Sequence, residues 1–192
     1  MAQVTRGYFK GTKLTAPKSG QTRPTSSKVK EAIMSLLIGE LEGMQVIDLF
    51  AGSGSMGIEM LSSGARSCLF VERDREALGC LQSNLKLILE RASKQALSIQ
   101  AKVTKEDVES FLAKNNSKFD LVWLDPPYKL YEEFPAKIYS DIERMVAPLG
   151  LIVFESDKAG VSFIEQSVSG RFTLQKQKKY GDTFVSIYKE EL

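Results

Sequence analysis

The stretch Phe119 to Tyr128, FDLVWLDPPY, decides the fold class of this chain. Phe119, Leu121, Val122, Trp123 and Leu124 are strand formers interrupted only by Asp120, the pattern of a strand buried on both faces of a parallel sheet. Two successive prolines then remove two backbone donors and fix φ at about -65°, so the strand stops at Pro126 and Asp125 is held extended. The carbonyls after it have no ladder partner. Ligands of an open α/β sheet bind in the crevice outside the carboxyl ends of its strands. Asp125, Pro126 and Tyr128 are therefore candidate catalytic residues.

On either side of this stretch the chain alternates strand and helix patterns. Upstream lie MQVIDLF (44–50), SMGIEMLSSGA (55–65), SCLFVE (67–72), DREALGCLQSNLKLILERA (74–92), ALSIQA (96–101) and EDVESFLAK (106–114). Downstream a helix is expected from about Tyr131 to Val146, then the strand LIVFES (151–156). RFTLQKQKKY and TFVSIYK flank the turn signal Gly181-Asp182, which predicts a closing antiparallel hairpin. The class is a doubly wound α/β domain. Before it, residues 3–25 mix short apolar groups with glycine, proline and threonine, giving a β-hairpin or irregular arm that ends at Pro24. A helix capped by Ser26 or Ser27 follows, with Val29, Ile33, Leu36 and Leu37 on one face, until Gly39. The division is an arm at 1–25 and one principal domain at 26–192.

Composition narrows the chemistry. At 192 residues the chain suits one substantial core, and no apolar run reaches the ~20 residues of a membrane span, so a cytoplasmic protein with no membrane association is expected. No apolar h-region follows the basic N-terminus. Cys68 and Cys80 fall inside a predicted strand and helix, where inert buried thiols are common. The absence of histidine excludes a histidine base and most zinc sites, and no metal is expected.

Charge is unevenly spread. Residues 1–30 hold Arg6, Lys10, Lys13, Lys18, Arg23, Lys28 and Lys30 and no acid, which leaves 19 basic of the chain's 26 against all 24 of its acidic residues. A strongly basic segment on a mildly acidic body suggests a nucleic-acid-facing arm. Tyr8, Phe9 and Leu14 are interleaved with these cations, and aromatics beside cations suit base stacking as well as phosphate contact.

The strand Val46–Phe50 runs into Ala51-Gly52-Ser53-Gly54-Ser55-Met56-Gly57, a G-x-G-x-x-G loop before a helix. Glycines let the backbone turn sharply and approach a ligand, while the helix presents its amino end. The loop fits dinucleotides and S-adenosylmethionine alike. Glu72, twenty residues after Gly52, ends the next strand, where a carboxylate can accept from ribose hydroxyls, and Asp107 can accept from an adenine amino group. Asp48 stands just before the glycines, where its charge favours a ligand bearing an ammonium and a sulfonium over one bearing a pyrophosphate.

Asp125 and the Pro126 carbonyl are suited to a nucleobase amino group. That nitrogen's lone pair is delocalised into the ring until its hydrogens are held out of plane by two acceptors. Tyr128 can stack on the base, worth roughly 1–3 kcal/mol, and a paired base would first be extruded. Positioning and charge placement carry the catalysis, with no strong base required.

DPPY after an apolar strand, DLFAGSGSMGIEMLSSGA, the following FVE and the upstream TRPT..KVKEAIMSLL together resemble the bacterial 16S ribosomal RNA guanine-N2 methyltransferase family. The resemblance runs from Arg6 to about Glu155 and implies a seven-stranded methyltransferase sheet, S-adenosylmethionine as donor, and a guanine in the head of the small ribosomal subunit as acceptor. Carried over by position, Asp48, Gly52, Gly54 and Glu72 hold the cofactor with Asp107 beside the adenine. Asp125, Pro126 and Tyr128 handle the guanine, and Arg6, Lys10, Lys13, Arg23 and Lys28 contact RNA. The chain departs from the family at Ser62-Ser63-Gly64-Ala65, where an arginine often follows the serine. The implied partner is 16S rRNA or a small-subunit assembly intermediate, met by a monomer. Alternative readings are an enzyme methylating adenine N6 in DNA, for which the chain has little room for target recognition, and an RNA-binding module without activity. A nicotinamide dehydrogenase would share the glycine loop and leave DPPY and the basic arm without a task.

Overall fold

Long apolar runs become buried strands and amphipathic runs become the helices between them. A computed structural model of the chain describes residues 2–17, 27–134 and 136–191, although not the side chains of Ser27 and Lys28. It comprises two units, Met1–Asp107 and Val108–Leu192.

The first unit contains β1 (Ala2–Gln3), β2 (Lys13–Leu14), α1 (Ser27–Leu36), β3 (Gln45–Asp48), α2 (Ser55–Ser62), β4 (Ser67–Glu72), α3 (Arg75–Lys94) and β5 (Gln100–Lys105). β4 is flanked by β3 and β5, both parallel to it, with Val46 opposite Cys68 and Val103 opposite Phe70. Val46, Ile47, Phe70 and Val71 are buried, as both-face burial of a parallel strand requires. α3 starts where Asp74 accepts the Ala77 amide at 2.8 Å, and Arg91 and Lys94 in its last turn complement the helix dipole.

β5 differs from expectation. The reading ALSIQA placed it at 96–101, whereas it spans Gln100–Lys105. α3 ends near Ala96, which takes a φ of +53°, and the strand proper carries Lys102, Thr104 and Lys105 in place of an apolar run. Its recorded pairing is with β4 alone, so it can carry charge that an inner strand cannot. The arm departs further from the simplest reading. β1 and β2 pair antiparallel, and Val4, Phe9 and Leu14 are buried in the unit. Phe9 and Leu14 are therefore core residues that cannot stack on a base, while Tyr8 stays 48% exposed. Arg23 and Pro24 lie outside the described residues.

The second unit contains α4 (Val108–Lys114), β6 (Phe119–Leu124), α5 (Leu130–Glu133), α6 (Ala136–Arg144), β7 (Val146–Ser156), α7 (Lys158–Ser167), β8 (Phe172–Tyr180) and β9 (Thr183–Glu190). β6 pairs parallel with β7, β7 antiparallel with β9, and β9 antiparallel with β8. The hairpin closes through Gly181-Asp182 between Tyr180 and Thr183, with Gly181 at φ +63°, as the turn signal requires. The single helix expected over Tyr131–Val146 is two, because Phe134 precedes a proline and takes an extended conformation at φ -64°, ψ 120°. The seven strands outside the arm, in mixed parallel and antiparallel pairing with helices between them and a hairpin last, establish the α/β class.

Candidate functional site

Each unit carries one group of the residues singled out from the sequence. In the first, β3 delivers Asp48 and the chain turns through the glycine loop into α2. Gly54 takes a φ of +80°, and a Cβ there would overlap Leu81; a Cβ on Gly57 would overlap the Phe70 ring. Both glycines are thus fixed by packing. Gly52, at φ +54°, has open space around it and is the glycine best suited to close ligand approach. Its amide donates to Glu72 Oε2 at 2.7 Å, while Glu72 Oε1 accepts the amides of Arg73 at 2.8 Å and Asp74 at 2.7 Å. A carboxylate offers about four acceptor positions, so three amides orient Glu72 and leave it capacity for a ligand hydroxyl. The Glu106 amide donates to the Glu72 carbonyl at 3.2 Å, which brings half-buried Asp107 to the same strand ends.

Asp48 is 1% exposed. Its Oδ2 accepts the Gly57 amide at 3.1 Å, and its Oδ1 makes no hydrogen bond among the described residues. Burial pushes its carboxyl from the ordinary 3.8 up to about 7, with the Gly57 and Phe50 amides partly offsetting the rise and the Glu72 carboxylate adding to it. A carboxyl that holds its proton more tightly when folded contributes stability that is complete below about pH 4 and lost as pH rises through about 7. Asp48→Asn keeps an acceptor for Gly57 and removes the titration. It is expected to gain stability over the parent protein between about pH 4 and pH 8, by up to about 4 kcal/mol. Urea unfolding of both proteins across that range measures the difference, and a pH-independent difference would contradict it.

Two contributors to this unit escaped the sequence reading. Asn84, 2% exposed on α3, donates to the carbonyls of Thr15 and Ser53, each at 2.9 Å, and accepts from the Thr15 amide and hydroxyl, also at 2.9 Å. It ties the arm to the glycine loop. The signal was present, since Asn84 interrupts the apolar face formed by Leu81, Leu85 and Ile88. Lys30, counted above with the basic segment, is 1% exposed and pairs at 3.1 Å with Glu59, itself fully buried. Its ammonium also donates to Gln3 O at 2.8 Å and Ser55 Oγ at 2.9 Å. It is a structural cation unable to meet RNA. Of the other arm cations, Lys10 and Lys13 are exposed and Arg6 is half-buried, whereas Arg23 and the Lys28 side chain fall outside the described residues.

In the second unit, β6 ends at Leu124 and delivers half-buried Asp125, buried Pro126 and half-buried Tyr128. The Pro127 carbonyl accepts the Leu130 amide at 2.8 Å and the Tyr128 carbonyl accepts the Tyr131 amide at 3.2 Å, closing the turn into α5. The Pro126 carbonyl accepts no hydrogen bond among the described residues, so of the two proline carbonyls it alone is left for a ligand. The Tyr128 hydroxyl lies 3.1 Å from Thr183 Oγ1 at the start of β9. Burial raises its pKa, keeping the phenol neutral. Fully buried Tyr131 donates to the Glu155 carbonyl at 2.7 Å and packs edge-on against Phe134 and Phe154. The DPPY turn is therefore braced by β7 through Tyr131 and by the hairpin through Thr183. Neither brace was read from the sequence, because both partners lie more than twenty residues away. Among the described residues no group of His, Cys, Asp and Glu is arranged to hold a metal ion, and no helix is long and apolar enough to cross a membrane.

Residues 2–189 match the family described as Conserved hypothetical protein 95. YlbH of Bacillus subtilis, named as a candidate rRNA methyltransferase, is 37% identical over 191 residues, 98% of each chain. The Haemophilus influenzae protein named ribosomal RNA small subunit methyltransferase D is 30% identical over 188 residues, 97% of this chain and 92% of its own. The solved structure of yhhF from Escherichia coli, a candidate methyltransferase, superposes with a TM-score of 0.79 at 26% identity, covering 100% of this chain and 98% of that one.

Proposed function

We propose that this chain, which belongs to the Conserved hypothetical protein 95 family, transfers a methyl group from S-adenosylmethionine to the exocyclic N2 amino group of a guanine in 16S ribosomal RNA, in the head of the small subunit. The names of its relatives support an rRNA methyltransferase. The observation that carries the choice of an amino-group acceptor is the pair formed by the Asp125 carboxylate and the neighbouring unoccupied Pro126 carbonyl, flanked by Tyr128.

The residues of the first unit fit the donor. Asp48 offers a buried carboxyl oxygen with no hydrogen-bond partner among the described residues and a pKa raised by burial, a combination that a cationic ligand relieves and a pyrophosphate would worsen. Asp48 would face the cationic end, Gly52 and Gly54 would line its path, Glu72 would accept from the ribose hydroxyls and Asp107 from the adenine amino group. When bound, S-adenosylmethionine supplies an electrophilic methyl on a sulfonium.

The protein's own residues then act on the acceptor. Asp125 and the Pro126 carbonyl accept the two amino hydrogens and draw them out of the ring plane, which localises the nitrogen lone pair for in-line attack. Neutral Tyr128 stacks on the base, its hydroxyl directed by Thr183. After transfer the surplus proton on nitrogen leaves to water. Arg6, Lys10, Lys13, Arg23 and Lys28 would contact the RNA backbone, with the protein acting as a monomer in the cytoplasm.

Deleting the gene and digesting 16S RNA to nucleosides tests the reading in cells. Loss of N2-methylguanosine, restored by the gene on a plasmid, is expected. Unchanged N2-methylguanosine would contradict it.

A further inference from the structure

We infer that the cavity between Arg6 and Tyr8 in the first unit binds one unpaired nucleotide of RNA, its base against Tyr8 and its phosphate against Arg6. The inference rests on the RNA-methylating reading above and places a contact with the substrate within the first unit.

The backbone around these two residues is clamped by one buried side chain. The Ser62 hydroxyl donates to the Arg6 carbonyl at 2.6 Å and accepts the Phe9 amide at 2.9 Å, while the Ser62 carbonyl accepts the Tyr8 amide at 2.8 Å. Gly7 between them takes a φ of +74°, and a Cβ there would overlap the Ser62 carbonyl. Only glycine permits this approach. Arg6 and Tyr8 are therefore presented on a fixed backbone before any ligand arrives, which lowers the ordering cost of binding.

Between them lies a cavity of about 440 Å³, lined also by Met34, Ile38 and Ser63. Tyr8 is 48% exposed and Ile38 64% exposed, an unusual pairing of large apolar surface beside cations. None of the residues lining the cavity is acidic. Among the described residues the Arg6 guanidinium makes one long 3.5 Å hydrogen bond, to Ser35, which a phosphate can displace. A flat ring with an attached anion satisfies the apolar walls and the guanidinium together. A neutral aromatic would leave Arg6 unanswered. Exposed Lys10 and Lys13 continue the positive surface for the neighbouring phosphates.

The test uses the full-length protein with two probes: protein-free 16S RNA, and a single-stranded oligoribonucleotide carrying 5-iodouridine for photo-cross-linking. Cross-linking to Tyr8 is expected. Tyr8→Ala and Arg6→Gln are each expected to weaken 16S RNA binding about tenfold, with Tyr8→Phe within about twofold of the parent. In methyl transfer the same two variants should raise KM for RNA and leave kcat unaltered, with adenosylmethionine affinity by calorimetry unchanged as proof of folding. Folded variants with parental RNA affinity and KM would overturn the site while leaving the methylation reading intact. Cross-linking at Tyr8 that is lost in Tyr8→Ala, in a protein that forms no N2-methylguanosine, would uphold the site and refute the reaction.

Discussion

Asp125→Ala is expected to lower the single-turnover rate of methyl transfer by about 10³-fold, with the affinity for adenosylmethionine within about twofold of the parent. The loss is large because the carboxylate has no substitute. The Pro127 and Tyr128 carbonyls are engaged by the Leu130 and Tyr131 amides, so removing Asp125 leaves the Pro126 carbonyl as the one turn carbonyl not engaged among the described residues, for two amino hydrogens. A planar amino group held at one hydrogen keeps its lone pair in the ring. Asp125→Asn retains one acceptor oxygen in the same shape and should fall between alanine and the parent. Cofactor affinity should survive because the residues proposed to hold the donor draw their recorded hydrogen bonds from the first unit, Asp48 from Gly57 and Glu72 from Gly52, Arg73 and Asp74. Rapid-quench transfer and calorimetry separate the two effects. Parental turnover in Asp125→Ala would remove the residue from the mechanism.

Lys30→Met is expected to destabilise the protein by about 3–5 kcal/mol, read as a lowered urea midpoint with an unchanged m-value. Glu59 is fully buried and receives hydrogen bonds from the Thr5 amide at 2.8 Å, the Thr5 hydroxyl at 3.1 Å and the Lys30 ammonium at 3.1 Å. Without the lysine, a desolvated carboxylate loses its counter-charge, and the Gln3 carbonyl and Ser55 hydroxyl lose a donor. The expected signature is non-additivity. Lys30→Met combined with Glu59→Gln should cost much less than the two single changes together, since both charges are then gone. An additive cycle would show that the two charges do not act as a pair. The network joins β1, α1 and the first residue of α2, so the described start of the basic arm is part of the first unit's fold.

The contrast between Lys30 and Lys10 shows what a sequence can and cannot disclose. Both read as positive charges in an acid-free segment, and only the distant Glu59 makes one of them a core residue. Local patterns were legible wherever neighbours in sequence share a physical task. The apolar runs of β3, β4 and β6, the glycine loop and the Gly181-Asp182 turn all lie where their chemistry places them. β5 slipped because its charge masks the apolar signal, and the helix after Tyr131 was split by a proline effect that the periodicity overrode. Phe9 and Leu14 were misjudged because two-residue strands carry no period that distinguishes a packed arm from a free one. In the candidate site, the residue types were readable and their partners were not. Glu72 holds three loop amides, and Tyr128 leans on Thr183 fifty-five residues away, pairings that only the fold creates.

The central claim is the transfer itself. Purified protein would be given labelled adenosylmethionine with four acceptors in parallel: unmodified small ribosomal subunits, protein-free 16S RNA, double-stranded DNA and buffer, followed by nucleoside analysis. N2-methylguanosine in either ribosomal acceptor is the predicted product, and the better of the two tells whether ribosomal proteins help form the target. N6-methyladenine in the DNA, or no label in any acceptor, would contradict the account.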